Sequence, residues 1–256
     1  MKITLFFLII LSNPSTELSD WGATGHRTVG EVATLHISKK TTKAVKRLLD
    51  GASLAYVSNY ADDIKSDERY RSYSPWHYAN MELNETYFKS EKNPKGDIIK
   101  AIRQCIEVLK GKKASKKERQ FYLKLLVHFI GDLHQPLHLG RKKDRGGNDI
   151  KVKWFGKHSN LHRIWDSDLI ESSRLSYTEL AKNLPHLSSA QKKQIVSSSL
   201  TAWVAETHEI TNKIYNELPK NTNLGYRYRY QNFDTLRLQL LKGGLRLAYL
   251  LDEIFK

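Results

Sequence analysis

The chain has 256 residues, a length that fits one large domain or two small ones, and no linker-like segment divides it, so one domain is expected. It carries 42 Lys and Arg against 27 Asp and Glu, and the resulting charge of +15 favours polyanionic partners such as nucleic acid or an anionic membrane surface. The single cysteine, Cys105, excludes an intramolecular disulfide.

The first 20 residues have the pattern of a secretory signal peptide. Lys2 precedes an apolar run over residues 3–11, which is shorter than the roughly 20 residues needed to span a bilayer. A polar stretch up to Asp20 follows this run. We therefore expect a signal peptide over residues 1–20, a mature domain over residues 21–256, and a secreted or periplasmic protein without a membrane anchor.

Most of the remaining chain has the periodicity of amphipathic helices. Helices are predicted over residues 24–37, 41–50, 97–110, 116–133, 188–218 and 233–255. Residues 150–155 begin with the alternation of a strand, and residues 76–81 are a candidate partner strand. Gly243 and Gly244 weaken the last helix, which close packing of another helix would explain. Cys105, among apolar neighbours, is expected to be buried and inert. The expected fold is all-α, a single multi-helix domain with a short β-hairpin.

Two His–Asp pairs carry the first chemical signal. His128 and Asp132, and again His162 and Asp166, are four residues apart, so on a helix each pair projects from one face. His138 follows soon after the first pair, just beyond a proline that ends a helix. One such pair is weak evidence, but two pairs with further histidines nearby indicate a metal site. Imidazole and carboxylate ligands without thiolate suit catalytic zinc.

These residues lie in longer motifs that run along nearly the whole mature chain. The motifs are Trp21-Gly22-x-x-Gly25-His26, Ala61-Asp62, His77, His128-Phe129-x-Gly131-Asp132-x-x-Gln135-Pro136-Leu137-His138, Gly146-Gly147-Asn148-Asp149 and Asn160-Leu161-His162-x-x-Trp165-Asp166. Together they resemble the zinc-dependent type I nucleases, the family of the fungal nucleases S-one and P-one, which has the zinc phospholipase C/nuclease fold. The absence of disulfides fits a bacterial-type secreted member.

The resemblance implies a trinuclear zinc site. Its first zinc would be held by Asp62, His77, His128 and Asp132. Its second would be held by His138, His162 and Asp166. Its third would be held by the amino group and carbonyl of Trp21, by His26 and by Asp132, which then bridges two metals. The third set requires cleavage directly before Trp21. The preceding residues, Leu18-Ser19-Asp20, depart from the small residues that signal peptidase prefers, so the cleavage position stays open.

The resemblance also implies an endonuclease that cleaves single-stranded DNA and RNA to 5′-phosphate products, with 3′-nucleotidase activity left open. Asp62, Lys65 and Asn148 would be the catalytic side chains, with Lys65 and Asn148 contacting the phosphoryl oxygens. Tyr78, next to the predicted ligand His77, would either stack on an unpaired base or pack in the core. We expect a monomer without a stable protein partner.

Two other functions remain open at this stage. A zinc phospholipase C shares the helical fold, and a basic surface also suits anionic membranes. A zinc-stabilised nucleic-acid-binding domain without catalysis would explain the charge, although structural zinc sites usually use thiolate ligands that this chain lacks.

Overall fold

The computed structural model describes residues 22–256. The predicted signal peptide at residues 1–20 and the predicted ligand Trp21 lie outside these residues. The α-helices are α1 Ala23–His36, α2 Lys39–Leu48, α3 Leu54–Val57, α4 Tyr60–Asp63, α5 Ile98–Lys110, α6 Lys116–Leu133, α7 Leu161–Arg163, α8 Leu169–Glu171, α9 Tyr177–Lys182, α10 Ser189–Ser197, α11 Leu200–Asn216 and α12 Tyr226–Ile254. Short 3-10 helices span Ile64–Ser66, Glu68–His77, Pro136–Leu139 and Lys142–Asp144, and a π-helical turn spans Ile164–Asp168.

The predicted all-α class is confirmed, because the described residues form mainly helices beside one small sheet. The predicted helix over residues 188–218 is instead two helices, α10 and α11. Ser198 and Ser199 are both extended, and the Ser199 hydroxyl accepts the Ala202 N–H at 3.2 Å as the cap of α11. A serine hydroxyl that satisfies an N-terminal N–H favours a new helix start over a continuous helix. The spacing of apolar residues alone did not indicate this break between the two helices.

The sheet differs from the predicted hairpin in its second strand. Strand β1, Lys151–Trp154, pairs antiparallel with β2, Lys157–Asn160, and parallel with β3, Asn223–Leu224. The proposed partner at residues 76–81 is wrong, since Trp76 and His77 end the 3-10 helix Glu68–His77. Ala79 and Met81 donate instead to the carbonyls of His138 and Gly140. Strand β2 contains only polar residues, so it shows no apolar alternation that would have predicted it.

The core centres on α1, α6 and α12. Every residue from 125 to 140 is buried, so α6 and the segment after it lie deep in the molecule. Helix α12 crosses α1 at the predicted glycine pair, where a Cβ on Gly244 would lie 2.3 Å from Val32 Cγ1. The missing side chain therefore permits close helix packing, as the sequence suggested. Cys105 is buried as expected, and burial raises the pKa of its thiol.

This contact gives a prediction for stability. Alanine normally stabilises a helix interior relative to glycine by about 1 kcal/mol. Gly244→Ala should instead lower the free energy of unfolding by about 1–3 kcal/mol, because the added methyl overlaps Val32. Gly243→Ala is the matched control, since its Cβ would come no closer than 3.3 Å to a neighbour. Urea denaturation measures the free energy of unfolding of both variants. Equal stability of the two variants would contradict the packing argument.

Candidate metal centre

Eight predicted ligands converge in the interior of the molecule, although they come from separate parts of the chain. They share imidazole or carboxylate chemistry, and seven of them are buried; Asp62 alone is partly exposed. They are His26, Asp62, His77, His128, Asp132, His138, His162 and Asp166. The structure brings together every predicted ligand except Trp21, which lies outside the described residues.

Asp132 is the centre of the first group. Its Oδ2 lies 2.9 Å from His77 Nδ1 and 3.0 Å from His128 Nε2. Its Oδ1 lies 3.3 Å from His26 Nε2 and 3.4 Å from His138 Nδ1. One carboxylate thus faces four imidazoles, with each oxygen serving a different pair. Such an arrangement is suited to a carboxylate that bridges metal ions.

Asp62 completes this side of the centre. Its Oδ1 lies 3.4 Å from His128 Nε2 and 3.7 Å from His77 Nδ1. Lys65, one turn later, approaches the same oxygen at 3.0 Å. Helix α4 is a single turn followed directly by a 3-10 turn, and this geometry places Asp62 and Lys65 side by side. Asp63, in contrast, is exposed.

His138, His162 and Asp166 form the second group. His162 Nε2 lies 3.1 Å from Asp166 Oδ2, and His138 Nε2 lies 3.7 Å from Asp166 Oδ1. The two imidazole rings stack with centroids 5.2 Å apart. Asp166 lies in the π-helical turn Ile164–Asp168, and such turns are frequent at functional sites.

Gly131 explains why the motif around Asp132 contains a glycine. A Cβ at this position would lie 2.6 Å from Nδ1 of His26, which comes from α1. Any side chain on Gly131 would therefore displace His26. The ring of His26 also stacks on His128, with centroids 3.8 Å apart. The glycine lets α1 approach α6 closely enough for the two imidazoles to share one site.

Backbone carbonyls orient three of the imidazoles, and sequence reasoning did not find them. In His128, His138 and His162 the Nδ1 donates at 2.7 Å to a main-chain oxygen, which leaves Nε2 directed at the centre. The acceptors are the carbonyls of Ser58, His77 and Gly146. Histidine ligands of metals usually donate their second ring N–H in this way. No side-chain pattern marks a carbonyl acceptor, so only the fold reveals them.

Asp144 holds the loop that carries the Gly146 carbonyl. This buried carboxylate accepts the Gly147 N–H at 2.9 Å and the Tyr215 hydroxyl at 2.8 Å through Oδ1. Its Oδ2 accepts Arg141 Nε at 2.7 Å. Sequence reasoning missed Asp144, because its role depends on Tyr215, which lies 71 residues further along the chain.

Gln135 supports Asp166 from the opposite side. Its Nε2 donates to Asp166 Oδ1 at 2.5 Å, and its Oε1 accepts the Leu137 N–H at 2.6 Å. His134, two residues after Asp132, lies outside the cluster of predicted ligands. It contacts Arg246 at 2.9 Å and donates to the Ile130 carbonyl at 2.7 Å. It belongs to the packing between α6 and α12.

The charges within the protein prepare most of these groups for a cation. Burial lowers the pKa of His77 to about 3, so its imidazole is neutral. Burial alone would raise the pKa of Asp132. The neighbouring charges of His128 and His138 have the larger effect and hold this pKa well below its usual range. Burial alone would lower the pKa of His128. The negative charges of Asp132 and Asp62 have the larger effect and raise this pKa to about 10. A metal that binds His128 must therefore displace a proton.

The donor set fits zinc. His138 Nε2, Asp132 Oδ1 and Asp166 Oδ2 are buried, yet they make no hydrogen bond of good geometry within residues 22–256. Buried polar groups normally have a partner, and a bound ion is one explanation for a cluster of exceptions. Nitrogen and carboxylate oxygen without sulfur is a ligand set found in catalytic zinc sites.

The predicted substrate residues line a cleft of about 450 Å³, and the predicted ligands His77, His138 and His162 are part of the same lining. Lys65, Tyr78 and Asn148 are all part of its lining. Tyr78 is 37% exposed, which excludes the alternative that it packs wholly in the core. Partial burial lowers the pKa of Lys65 to about 8. The Asn148 amide donates to the Arg145 carbonyl at 2.8 Å, while Asp149 turns outward to Arg145 at 2.9 Å.

A cluster of buried His and Asp side chains beside an open cleft is typical of a metal-dependent hydrolase. The S1/P1 nuclease family model matches residues 21–256, and this chain belongs to that family. It is 31% identical to Endonuclease 4 of Arabidopsis thaliana over 92% of this chain and 89% of that protein. It is 28% identical to Nuclease P1 of Penicillium citrinum over 91% of this chain and 97% of that protein. It is 30% identical to Nuclease S1 of Aspergillus oryzae over 72% of this chain and 67% of that protein.

Family membership settles the broad class of the enzyme. The protein is a zinc-dependent nuclease, a hydrolase that acts on phosphodiester bonds of nucleic acids. The phospholipase C alternative loses its support, because the relatives reported above are nucleases. Between residues 22 and 256 no helix is both long and apolar enough to cross a membrane.

The loop around Asp144 gives a prediction for metal affinity. Asp144→Ala should weaken zinc binding about tenfold, because the Gly146 carbonyl that orients His162 loses its support. Tyr215→Phe removes one hydrogen bond of the same carboxylate and should show a smaller effect. Competition with a chromogenic chelator measures both affinities.

Asp149→Ala is the matched control, since Asp149 lies in the same loop but forms only an exposed pair with Arg145. It should bind zinc as the wild-type protein does. An affinity loss as large in Asp149→Ala as in Asp144→Ala would contradict the proposed role of the buried carboxylate.

Proposed function

We propose that this protein is an endonuclease that hydrolyses single-stranded DNA and RNA to 5′-phosphate products and depends on three zinc ions. The observation that carries the proposal is the four-imidazole environment of Asp132 beside a cleft lined by Lys65, Tyr78 and Asn148. Family membership supports the phosphodiester chemistry.

The ligands would divide among the three ions as the family resemblance implies. Asp62, His77, His128 and Asp132 would hold one zinc, and His138, His162 and Asp166 a second. Trp21, His26 and Asp132 would hold the third. When bound, zinc supplies Lewis acidity and lowers the pKa of coordinated water to near 7. We propose that the active unit is a monomer.

The third zinc links this centre to processing of the N-terminus. The proposed ligand set of this zinc includes the free amino group of Trp21. We therefore propose that residues 1–20 are removed during export and that the mature protein is secreted or periplasmic. The Gly22 N–H donates to the Asp166 carbonyl at 2.9 Å, which fixes the chain directly after Trp21 at the metal centre. This anchoring supports Trp21 as a ligand.

Lys65 and Asn148 would bind the scissile phosphate. Lys65 lines the cleft and pairs with Asp62 at 3.0 Å, and from this position its ammonium group would contact a bound substrate anion. The Asn148 amide donates one N–H to Arg145 and has a second for a phosphoryl oxygen. Both are donors of the kind that stabilise charge on the oxygens during hydrolysis. The same contacts would accept a 3′-nucleotide, so we include 3′-nucleotidase activity in the proposal.

Tyr78 would favour single strands. Its ring lies next to His77 on the cleft wall, and a base stacks on it only when that base is unpaired.

A direct assay tests the proposed function. The zinc-loaded protein is incubated with a single-stranded oligonucleotide, with its duplex and with phosphatidylcholine vesicles. We expect fragments with 5′-phosphates from the single strand, much slower cleavage of the duplex and no lipid hydrolysis. Binding of the single strand without any product would support the non-catalytic alternative and overturn the proposal.

Asp132→Ala should remove the carboxylate shared by two metals. Zinc per chain is expected to fall from three to about one, with loss of nuclease activity, because two sites lose a common ligand. Metal analysis by mass spectrometry measures the first effect, and cleavage of a single-stranded oligonucleotide measures the second. Asp63→Ala is the control, since Asp63 is exposed beside Asp62. Three zincs in Asp132→Ala would refute the bridging role.

Tyr78→Ala should raise the KM for short single-stranded substrates about fivefold or more while zinc content stays constant, because base stacking is worth roughly 1–3 kcal/mol. Tyr56→Ala serves as the control, because Tyr56 is 77% exposed and does not line the cleft. Unchanged kinetics in Tyr78→Ala would remove the stacking role.

A further inference from the structure

A guanidinium group is almost completely buried where α10, α11 and α12 meet. Arg246, in α12, is 1% exposed, and each of its three nitrogens has a partner. Nε donates to the Ile195 carbonyl at 3.1 Å, one terminal nitrogen donates to His134 Nε2 at 2.9 Å, and the other donates to the Glu206 carboxylate. The guanidinium also lies over the Trp203 ring, 5.0 Å from its centroid. A buried charge needs a partner, which Glu206 supplies, so the contact with His134 is additional to charge pairing.

The hydrogen bond between Arg246 and His134 has only one possible direction. His134 Nδ1 donates to the Ile130 carbonyl at 2.7 Å, so in the neutral ring Nε2 carries no hydrogen. This Nε2 can therefore only accept, and the guanidinium of Arg246 donates to it. Because the His134 ring is fully buried and bonded at both nitrogens, its orientation is fixed from two sides.

Helix α12 also holds the main chain of His134. Gln239 is 1% exposed, and its Nε2 donates to the His134 carbonyl at 3.1 Å. Gln239 and Arg246 are seven residues apart, which is about two helical turns, so both project from the same face of α12. One face of this helix therefore binds a single residue both at its side chain and at its carbonyl.

His134 lies where the chain leaves α6 and enters the second group of predicted ligands. Its N–H closes the last turn of α6, the turn that contains Asp132. The next residue, Gln135, donates to Asp166 Oδ1 at 2.5 Å. Three residues further along the chain, His138 is itself a member of the second group. The position of His134 therefore sets the place at which Gln135 and His138 enter the site.

We infer that Arg246 is a positioning residue for the second group. By holding His134, it places Gln135 against Asp166 and places His138 for the zinc ion that this group would bind. The inference rests on the division of ligands in the proposed function. Stability alone does not require a buried arginine here, since buried ion pairs can often be replaced by apolar side chains without loss of stability.

Zinc titration of Arg246→Met tests this positioning role. Methionine is apolar and similarly long, and Glu206 keeps Lys242 as an ion-pair partner at 2.9 Å. We expect one zinc per chain to bind at least about tenfold more weakly, because side chains that orient metal ligands have effects of this size. The remaining zinc should bind with wild-type affinity. Competition with a chromogenic chelator measures each affinity.

Glu206→Gln is the matched control, because it removes the charge of the ion-pair partner and keeps the Arg246 contact with His134. It should bind all zinc as the wild-type protein does. Gln239→Leu is a second variant that removes no charge, and it should weaken the same zinc because the His134 carbonyl loses its donor. It keeps the inference testable if Arg246→Met does not fold.

His138→Ala identifies the zinc that is affected. This variant removes a ligand of the second group, so the zinc that it still binds belongs to the other ligand sets. Adding Arg246→Met to it should cause no further loss of zinc affinity. A further loss in the double variant, or an equal loss at every zinc in Arg246→Met alone, would indicate general destabilisation and overturn the inference. Wild-type zinc affinity in both Arg246→Met and Gln239→Leu would overturn it as well.

Zinc binding is measured without substrate, which separates this inference from the proposed function. If the wild-type protein cleaves a single strand and Arg246→Met binds all zinc normally, the inference fails and the proposed function stands. If the wild-type protein cleaves nothing, the proposed function fails. Weaker binding of one zinc in Arg246→Met would still support the positioning role.

Discussion

The structure depends on one buried carboxylate that faces four imidazoles. Asp132 is fully buried, and a lone carboxylate at that depth would be costly without compensating charge. His26, His77, His128 and His138 surround it within 3.4 Å. Charge in the protein interior is tolerated when it is paired or binds a metal. The burial that makes Asp132 costly also gives its electrostatic interactions their strength.

The rest of the fold is organised to meet this constraint. Helix α6 is buried along its C-terminal half, so it needs partners on all sides, and α1 and α12 supply two of them. Small residues make this packing possible, since Gly131 admits His26 and Gly244 admits Val32. Three of the imidazoles, those of His128, His138 and His162, are then oriented by main-chain carbonyls. The positions of the predicted ligands therefore follow from the packing of the backbone, which suits a site that is formed before substrate binds.

The sequence predicted which His and Asp side chains lie together better than it predicted the backbone that positions them. Spacing of four residues identified His128 with Asp132 and His162 with Asp166, because helical geometry makes that pairing local. The carbonyl of Gly146 and the carboxylate of Asp144 were missed, since their contacts depend on tertiary structure. Strand β2 was missed because its polar residues carry no alternation, and the break at Ser199 was missed because both flanking helices share one apolar period. Local features such as helical spacing could be predicted from the sequence, whereas contacts between residues far apart in the chain could be identified only from the structure.

The hairpin of β1 and β2 joins two parts of the proposed site. Strand β1 follows Asn148 and β2 leads to His162, so the hairpin connects the proposed phosphate contact with a predicted zinc ligand. The stacking proposed for Tyr78 requires an unpaired base. A duplex would lose this contact, while its phosphates would still be attracted by the charge of +15. Selection for single strands would then come from Tyr78, and the basic residues would supply affinity for either form.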